Sequence, residues 1–181
     1  MGKEIFYLTG FMASGKSTIG PILANTLGWI FFDLDKEIEK IEKKNITDIF
    51  KDNGESYFRE KETEVLRELA ARKKSIISLG GGTLINAENR KIVRKSGKLI
   101  FLKSSPENIY QRLKHKRDRP VMSFDDEEVP GEAKHITIVK SLLNQRIKFY
   151  EQADFTIDTD HNSIGTTVDK IAHVIYQSIN H

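Results

Sequence analysis

Short apolar runs alternate with segments of helical periodicity along most of the chain. The apolar runs predict five β-strands, at residues 4–9, 29–34, 75–79, 98–103 and 154–158. Apolar residues spaced by three and four positions predict helices at 15–27, 35–43, 46–52, 58–73, 86–95, 106–116, 134–152 and 163–179. Because such alternation implies right-handed crossovers, we expect an α/β fold with a mostly parallel sheet covered by helices on both faces.

The predicted strands hardly alternate between apolar and polar residues, which is typical of strands buried on both faces. In sheets of this kind, ligands bind beyond the carboxyl ends of the strands. Four residues with candidate chemistry lie at or just after predicted strand ends: Gly10, Asp33, Asp35 and Gly80. We therefore expect them to converge on one cleft.

Composition supports one globular domain over residues 1–181, with 38% hydrophobic and 30% charged residues. The net charge of +3 is compatible with small anionic substrates. Acidic and basic residues alternate along the chain, so we expect no nucleic-acid partner. The chain has no cysteine, which excludes disulfides and thiolate metal sites.

The beginning of the chain predicts neither a secretory signal nor a membrane anchor. Lys3 and Glu4 interrupt it, and no long apolar span follows. We therefore expect a cytoplasmic protein without a membrane partner. We also expect a monomer, because no sizeable apolar stripe is left outside the predicted elements.

The segment GFMASGKS, residues 10–17, matches the phosphate-binding pattern G-x-x-x-x-G-K-[ST]. An apolar strand precedes it and a helical pattern follows, which argues against an ordinary Gly/Ser-rich turn. Backbone N–H groups in such a loop point at one anion, and the helix adds the positive end of its dipole. Lys16 can reach the outer phosphates of ATP, and the Ser17 hydroxyl can bind Mg²⁺.

Two acids, Asp33 and Asp35, follow the second predicted strand. In an extended chain both would point to one side, where one could position Mg²⁺ and the other an attacking hydroxyl. The simpler interpretation is that Asp35 caps the next helix and Asp33 is a solvated turn residue. The spacing alone leaves both interpretations open.

The segment GESYFREKE, residues 54–62, contains Arg59 and Glu62 on one face of a predicted helix. A buried Glu62 could hold the Arg59 guanidinium so that it binds a substrate carboxylate through two hydrogen bonds. The alternative is an exposed ion pair of little energetic weight.

Three consecutive glycines, Gly80, Gly81 and Gly82, follow the third predicted strand. They permit very close approach of a ligand to the backbone, and we favour this over a flexible linker.

A polar segment at 117–135 contains two prolines and predicts an exposed, mobile lid. Four arginines lie in it or near it. They are Arg112, Arg117, Arg119 and Arg146. A lid arginine can neutralise charge on a transferred phosphoryl group while water is excluded. For Arg117, a solvated basic turn is the favoured interpretation.

Together these segments resemble the shikimate kinase family over nearly the whole chain. The resemblance is carried by GFMASGKS, DLD at 33–35, GESYFREKE at 54–62, GGG at 80–82, RP at 119–120 and the R-x-x-x-Y pattern at 146–150. It implies a three-layer α/β/α P-loop kinase whose five-stranded parallel sheet has the order 2-3-1-4-5. It also implies ATP-dependent phosphorylation of the 3-hydroxyl of shikimate, an acceptor-binding region at about 33–62 and a lid at about 114–135.

The resemblance assigns roles to individual residues. Catalytic roles fall to Lys16, Asp35 and Arg119. The nucleotide is bound by Gly10, Ala13, Ser14, Gly15, Lys16, Ser17, Thr18, Arg112 and Arg119. Mg²⁺ is held at Ser17 and Asp33. Shikimate is bound by Asp35, Arg59, Gly80, Gly81, Gly82 and Arg146.

Two alternatives remain at this stage. One is a kinase of the same fold for another acceptor, either a small carboxylated polyol such as gluconate or a nucleotide. The other is a module that binds ATP or nucleic acid without catalysis.

Overall fold

A computed structural model describes residues 4–114 and 132–180 and places a five-stranded sheet at the centre. The strands are β1 (Ile5–Thr9), β2 (Ile30–Asp33), β3 (Ser75–Ser78), β4 (Lys98–Lys103) and β5 (Phe155–Asp158). Their order is β2-β3-β1-β4-β5, and all neighbouring strands are parallel. The predicted α/β fold and its strand order are thus confirmed.

Helices connect the strands and cover both faces of the sheet. They are α1 (Lys16–Leu27), α2 (Leu34–Glu42), α3 (Ile46–Leu69), α4 (Ala87–Ser96), α5 (Pro106–Lys114), α6 (Glu132–Tyr150) and α7 (Ile164–Asn180). A short 3₁₀ turn, Thr83–Ile85, follows the glycine triplet and was not predicted.

The helices predicted at 46–52 and 58–73 form the single span α3, which is broken at Gly54. Gly54 has φ 83° and ψ 171°, so the chain leaves helical geometry there and resumes it one residue later. The predicted end at residue 73 is wrong, because α3 ends at Leu69. Lys74 has a positive φ of 47°, and this left-handed turn directs the chain into β3.

Both faces of the sheet are buried, as the apolar strands predict. Ile5 and Tyr7 of β1 belong to one core cluster, while the alternating residues Phe6 and Leu8 belong to the other. Helices α1 and α7 cover the second cluster, and α3 and α6 contribute to the first. The edge strands β2 and β5 are less buried than the central three.

This arrangement brings three connections to one edge of the sheet. The loop after β1, the start of α2 after β2 and the glycine triplet after β3 all leave the carboxyl ends of parallel strands. Among residues 4–114 and 132–180, no helix has the length and apolar character needed to cross a bilayer.

Most of the predicted lid, including Arg117, Arg119 and Pro120, lies outside the described residues. The described chain reaches Lys114 at the end of α5 and begins again at Glu132 in α6. The expectations for Arg119 and for the lid therefore stay predictions.

Candidate active site

A cavity of about 620 Å³ lies beyond the carboxyl ends of β1, β2 and β3. Its size is that of a site for small molecules. The predicted site residues that line it are Ala13, Ser14, Gly15, Lys16, Ser17, Thr18, Asp33, Asp35, Arg59, Gly80, Gly81, Gly82, Arg112 and Arg146. The structure thus brings nucleotide and acceptor candidates into one cavity.

Gly10 is the first residue of the phosphate loop. It is buried and does not line the cavity. A Cβ atom at this position would lie 2.6 Å from the carbonyl oxygen of Leu102 in β4. Its φ of 144° is also one that other residues rarely adopt. Only glycine therefore lets the loop begin this close to the neighbouring strand.

The side chain of Lys16 lies back along the phosphate loop. Its Nζ donates hydrogen bonds to the carbonyl oxygens of Gly10 at 2.7 Å and Phe11 at 3.0 Å. Ser17 and Thr18 follow in the first turn of α1, where both are exposed. The amino end of α1 therefore points its hydroxyls and its positive dipole end toward the cavity.

Asp33 and Asp35 both line the cavity, but their backbone conformations differ from the predicted extended pair. Asp33 ends β2 and caps α2 by accepting a hydrogen bond from the Lys36 N–H at 3.3 Å. Asp35 already lies in the first turn of α2, so the extended geometry considered for the pair is wrong. The alternative assignment of Asp35 as the cap is also wrong, because Asp33 fills that position.

Arg59 is held by a buried carboxylate. Its Nη1 lies 3.0 Å from Oε2 of Glu62, whose side chain is 1% exposed. Thr83 donates from Oγ1 to the other carboxylate oxygen of Glu62 at 2.7 Å. Burial lowers the pKa of Arg59, but the carboxylates of Glu62 and Glu55 outweigh it and raise this pKa above its ordinary value. The alternative of an exposed ion pair is therefore wrong for Glu62.

Each glycine of the triplet faces a different charged side chain of the cavity. A Cβ at Gly80 would lie 2.8 Å from Oδ1 of Asp35. At Gly81 it would lie 3.2 Å from Nη1 of Arg146, and at Gly82 3.0 Å from Nη2 of Arg59. The missing side chains thus leave room for one carboxylate and two guanidinium groups around the same backbone.

Arg112 lies at the opposite end of the cavity, between the phosphate loop and the loop after β5. Its guanidinium donates to the carbonyl oxygens of Ala13 at 3.2 Å and Thr159 at 2.9 Å. Oδ1 of Asp160 lies 3.9 Å from Nη2 of Arg112. Arg112 is therefore positioned at the junction of two loops and still faces the cavity.

Asp160 joins the loops after β4 and β5. Its carboxylate accepts hydrogen bonds from the Ser104 hydroxyl and from the Ser105 N–H, the latter at 2.7 Å. Burial raises the pKa of this group, but these hydrogen bonds outweigh burial and lower the pKa to about 2. The carboxylate is thus ionised throughout the physiological range.

The cavity offers few protein ligands for a metal ion. Within the described ranges, no cluster of three or more His, Cys, Asp or Glu side chains forms a metal site. Ser17 and Asp33 both line the cavity and can supply a hydroxyl and a carboxylate oxygen as donors. This donor set fits Mg²⁺, which commonly takes one or two protein oxygens together with substrate phosphates and water.

Sequence reasoning missed Thr83 and Thr159. Thr83 binds a glutamate 21 residues away, and no periodic pattern indicates such a contact. Thr159 directly follows β5, so the argument from strand ends that selected Gly10 would also have selected Thr159.

Comparison with known proteins shows the family of this chain. The sequence model described as shikimate kinase matches residues 12–178. The chain belongs to the shikimate kinase family. Curated shikimate kinases share close to two fifths of their residues with it. One from Chlorobaculum parvum is 42% identical over 176 residues, which cover 97% of this chain and 94% of that protein.

Solved shikimate kinases have the same fold as this chain. The structure from Bacteroides thetaiotaomicron superposes with a TM-score of 0.85 at 30% identity, covering 95% of this chain and 98% of that one. A structure from Acinetobacter baumannii, solved in complex with shikimate, gives a TM-score of 0.85 at 32% identity, covering 96% and 93%.

Proposed function

We propose that this member of the shikimate kinase family transfers the γ-phosphoryl group of ATP to the 3-hydroxyl of shikimate. The products are ADP and shikimate 3-phosphate, an intermediate on the route to chorismate and the aromatic amino acids. The observation that carries the proposal is the convergence of a phosphate loop with Asp35, Arg59 and Arg146 in one cavity.

The nucleotide end of the cavity is assigned to ATP. Backbone N–H groups of the loop from Ala13 to Thr18 surround the phosphates, Gly10 lets the loop begin close to β4, and Lys16 neutralises charge on the outer phosphates. Arg112, which faces the same cavity, stacks on the adenine. We assign Arg119 to the transferred phosphoryl group on sequence grounds.

Mg²⁺ is the cofactor of the proposed reaction, with Ser17 and Asp33 as its protein ligands. When bound, it offsets the negative charge of the phosphate oxygens. The support is that both residues line the same cavity.

The acceptor end of the cavity is assigned to shikimate. Arg59 and Arg146 bind the carboxylate, and the backbone of the glycine triplet contacts the ring. Asp35 hydrogen-bonds the reacting hydroxyl and is placed to accept its proton. The hydroxyl oxygen forms a bond to the γ-phosphorus while the bond from that phosphorus to the β,γ-bridging oxygen breaks.

We further infer that the chain acts as a single kinase domain and as a monomer in the cytoplasm. No sizeable apolar stripe remained outside the elements predicted from the sequence. Sedimentation equilibrium at micromolar concentration tests the monomer, for which the expected mass is 20.7 kDa.

The substrate assignment is tested by measuring ADP release with Mg-ATP and a panel of shikimate, gluconate and nucleoside monophosphates. We expect strong stimulation by shikimate alone. Stimulation by gluconate or a nucleotide would reassign the acceptor end and leave the phosphate loop in place. ATP binding without turnover of any acceptor would favour a non-catalytic module.

The role of Asp35 is tested by Asp35→Asn. Proton acceptance and alignment by a positioned carboxylate contribute on the order of 100-fold or more, so we expect kcat to fall by at least about 100-fold. The KM for ATP is expected to change little. Glu37→Gln is the matched control, since Glu37 is an acid of the same helical turn that does not line the cavity. Equal effects of the two substitutions would contradict the assignment.

A further inference from the structure

Tyr150, the last residue of α6, is buried behind the acceptor end of the cavity and does not line it. Its side chain is 1% exposed, and its ring packs against Phe101 of β4 with 5.4 Å between centroids. The hydroxyl donates a hydrogen bond to the carbonyl oxygen of Gly81 at 2.6 Å. Tyr150 therefore ties the end of α6 to the middle of the glycine triplet.

Arg146 lies one helical turn before Tyr150 on the same face of α6. Nη1 of Arg146 lies 3.2 Å from the position of a Cβ on Gly81, and the Tyr150 hydroxyl lies 3.7 Å from that position. Burial raises the pKa of the Tyr150 phenol, while the positive charge of Arg146 opposes the rise. The Tyr150 hydroxyl and the Arg146 guanidinium thus both adjoin Gly81, and the hydroxyl is bonded to its backbone.

The guanidinium of Arg146 has a second neighbour, the ring of Phe11 in the phosphate loop, at 5.8 Å from its centroid. A guanidinium binds a carboxylate well only when its plane is fixed, because the two hydrogen bonds are parallel. The aromatic face restrains Arg146 on one side without specifying its rotation. The Gly81 backbone, which the Tyr150 hydroxyl holds, adjoins Nη1 of Arg146 and restrains the guanidinium on another side.

We propose that Tyr150 is a positioning residue for the acceptor, whose hydroxyl holds the Gly81 backbone in the place where it adjoins the Arg146 guanidinium. The proposal rests on the proposed function, which assigns both groups to shikimate. Tyr150 contacts neither substrate, so it acts through its two neighbours. Its effect belongs to acceptor binding rather than to ATP binding or to the chemical step.

The test is Tyr150→Phe, which keeps the ring and removes only the hydroxyl. The Gly81 carbonyl then loses this donor, and the backbone beside Arg146 is no longer held by it. We expect the KM for shikimate to rise about tenfold, as for the loss of one buried hydrogen bond. The KM for ATP is expected to stay within about twofold, with a smaller change in kcat.

Tyr7→Phe is a matched control from the same chain. Tyr7 is also fully buried, and its hydroxyl shares a 2.6 Å hydrogen bond with Oγ of Ser96, a residue of α4 that does not line the cavity. Both substitutions are expected to lower the melting temperature by similar amounts, while Tyr7→Phe leaves both KM values unchanged. A merely structural role for Tyr150 would make the two variants alike in their kinetics.

The carboxylate connection is tested with shikimate methyl ester, which lacks the negative charge that Arg146 binds. The ratio of KM between Tyr150→Phe and the wild type is expected to be smaller for the ester than for shikimate. Equal ratios for the two acceptors, or equal rises in the KM for shikimate and for ATP, would overturn the proposal.

A second variant keeps the proposal testable if Tyr150→Phe does not fold. The Cβ of Gly81→Ala would lie 3.2 Å from Nη1 of Arg146 and 3.7 Å from the Tyr150 hydroxyl. This variant is expected to raise only the KM for shikimate. An unchanged KM for shikimate in this variant would overturn the proposal. Wild-type turnover of shikimate is measured first, since its absence would contradict the proposed function and not the positioning role alone.

Discussion

At the scale of single residues, the buried carboxylate of Glu62 connects the stability of the fold to the candidate site. Its 1% exposure means that its charge is compensated by neighbours rather than by water. Arg59 supplies the opposite charge and Thr83 a hydroxyl donor. The carboxylate therefore stabilises the fold and at the same time fixes an arginine that we assign to the substrate.

Replacing Glu62 with Gln removes the charge and keeps the shape. Breaking a buried ion pair by neutralising one partner is costly, so we expect the free energy of unfolding to fall by about 2 kcal/mol or more. Urea denaturation at neutral pH measures this. The control is Glu64→Gln, since Glu64 pairs with Lys61 at 2.8 Å on the exposed side of the same helix. There we expect a loss below about 1 kcal/mol.

Local patterns in the sequence predict which residues meet in the cavity better than they predict the contacts of those residues. The phosphate loop, Arg59 with Glu62 and the triplet are short segments whose function follows from residue type and spacing. The hydrogen bond from Tyr150 to Gly81 joins residues 69 positions apart, and that from Ser104 to Asp160 joins residues 56 apart. Only the packed fold defines such partners.

At the scale of elements, strands were predicted more accurately than helix ends. Apolar runs define buried strands directly, and all five strands lie within the predicted ranges. The end of α3 at Leu69 gives no such signal, because Ala70, Ala71 and Arg72 after it are good helix formers. The start of α2 depends on whether Asp33 or Asp35 caps it, and both are good caps.

The loops after β4 and β5 are joined by Asp160, and this gives a prediction on pH. Because its pKa falls from 3.8 to about 2 on folding, the ionised carboxylate stabilises the native state above about pH 4. The stabilisation, about 2 kcal/mol, is lost as the pH falls from about 4 to 2. Asp160→Asn is expected to lower the free energy of unfolding by this amount at pH 7, and the difference from wild type is expected to shrink toward pH 2.

Urea denaturation of both proteins across this pH range measures the effect. Asp169→Asn is the control, since Asp169 is exposed on α7. A difference between wild type and Asp160→Asn that is constant with pH would mean that the hydrogen bonds of Asp160 do not depend on its charge.

At the scale of the whole molecule, the central strand makes the two halves of the core interdependent. Residues of β1 alternate between the clusters on the two faces, so neither cluster can lose its packing while β1 keeps its place. We therefore expect the chain to unfold in one cooperative transition. This expectation also tests the assignment of residues 1–181 to a single domain.

Two probes and two substitutions measure this cooperativity. Trp29 is the single tryptophan of the chain and packs against the cluster beneath α1 and α7, so its fluorescence reports one face. Far-ultraviolet circular dichroism reports the secondary structure of the whole chain. Leu66→Ala and Ile171→Ala, one on each face, are each expected to cost about 2–5 kcal/mol and to shift both probes equally. Separate midpoints would contradict a single unit.

The hydrogen bonds of Lys16 affect how ATP affinity is interpreted. Its ammonium group is bound to carbonyl oxygens at the entrance of its own loop, which helps to hold the loop in shape. If the lysine turns to the phosphates, nucleotide binding is an exchange of partners, and its net free energy is a difference between two sets of bonds. Replacing Lys16 would then remove both the hydrogen bonds within the loop and the contact with the nucleotide. The resulting loss of affinity would measure both.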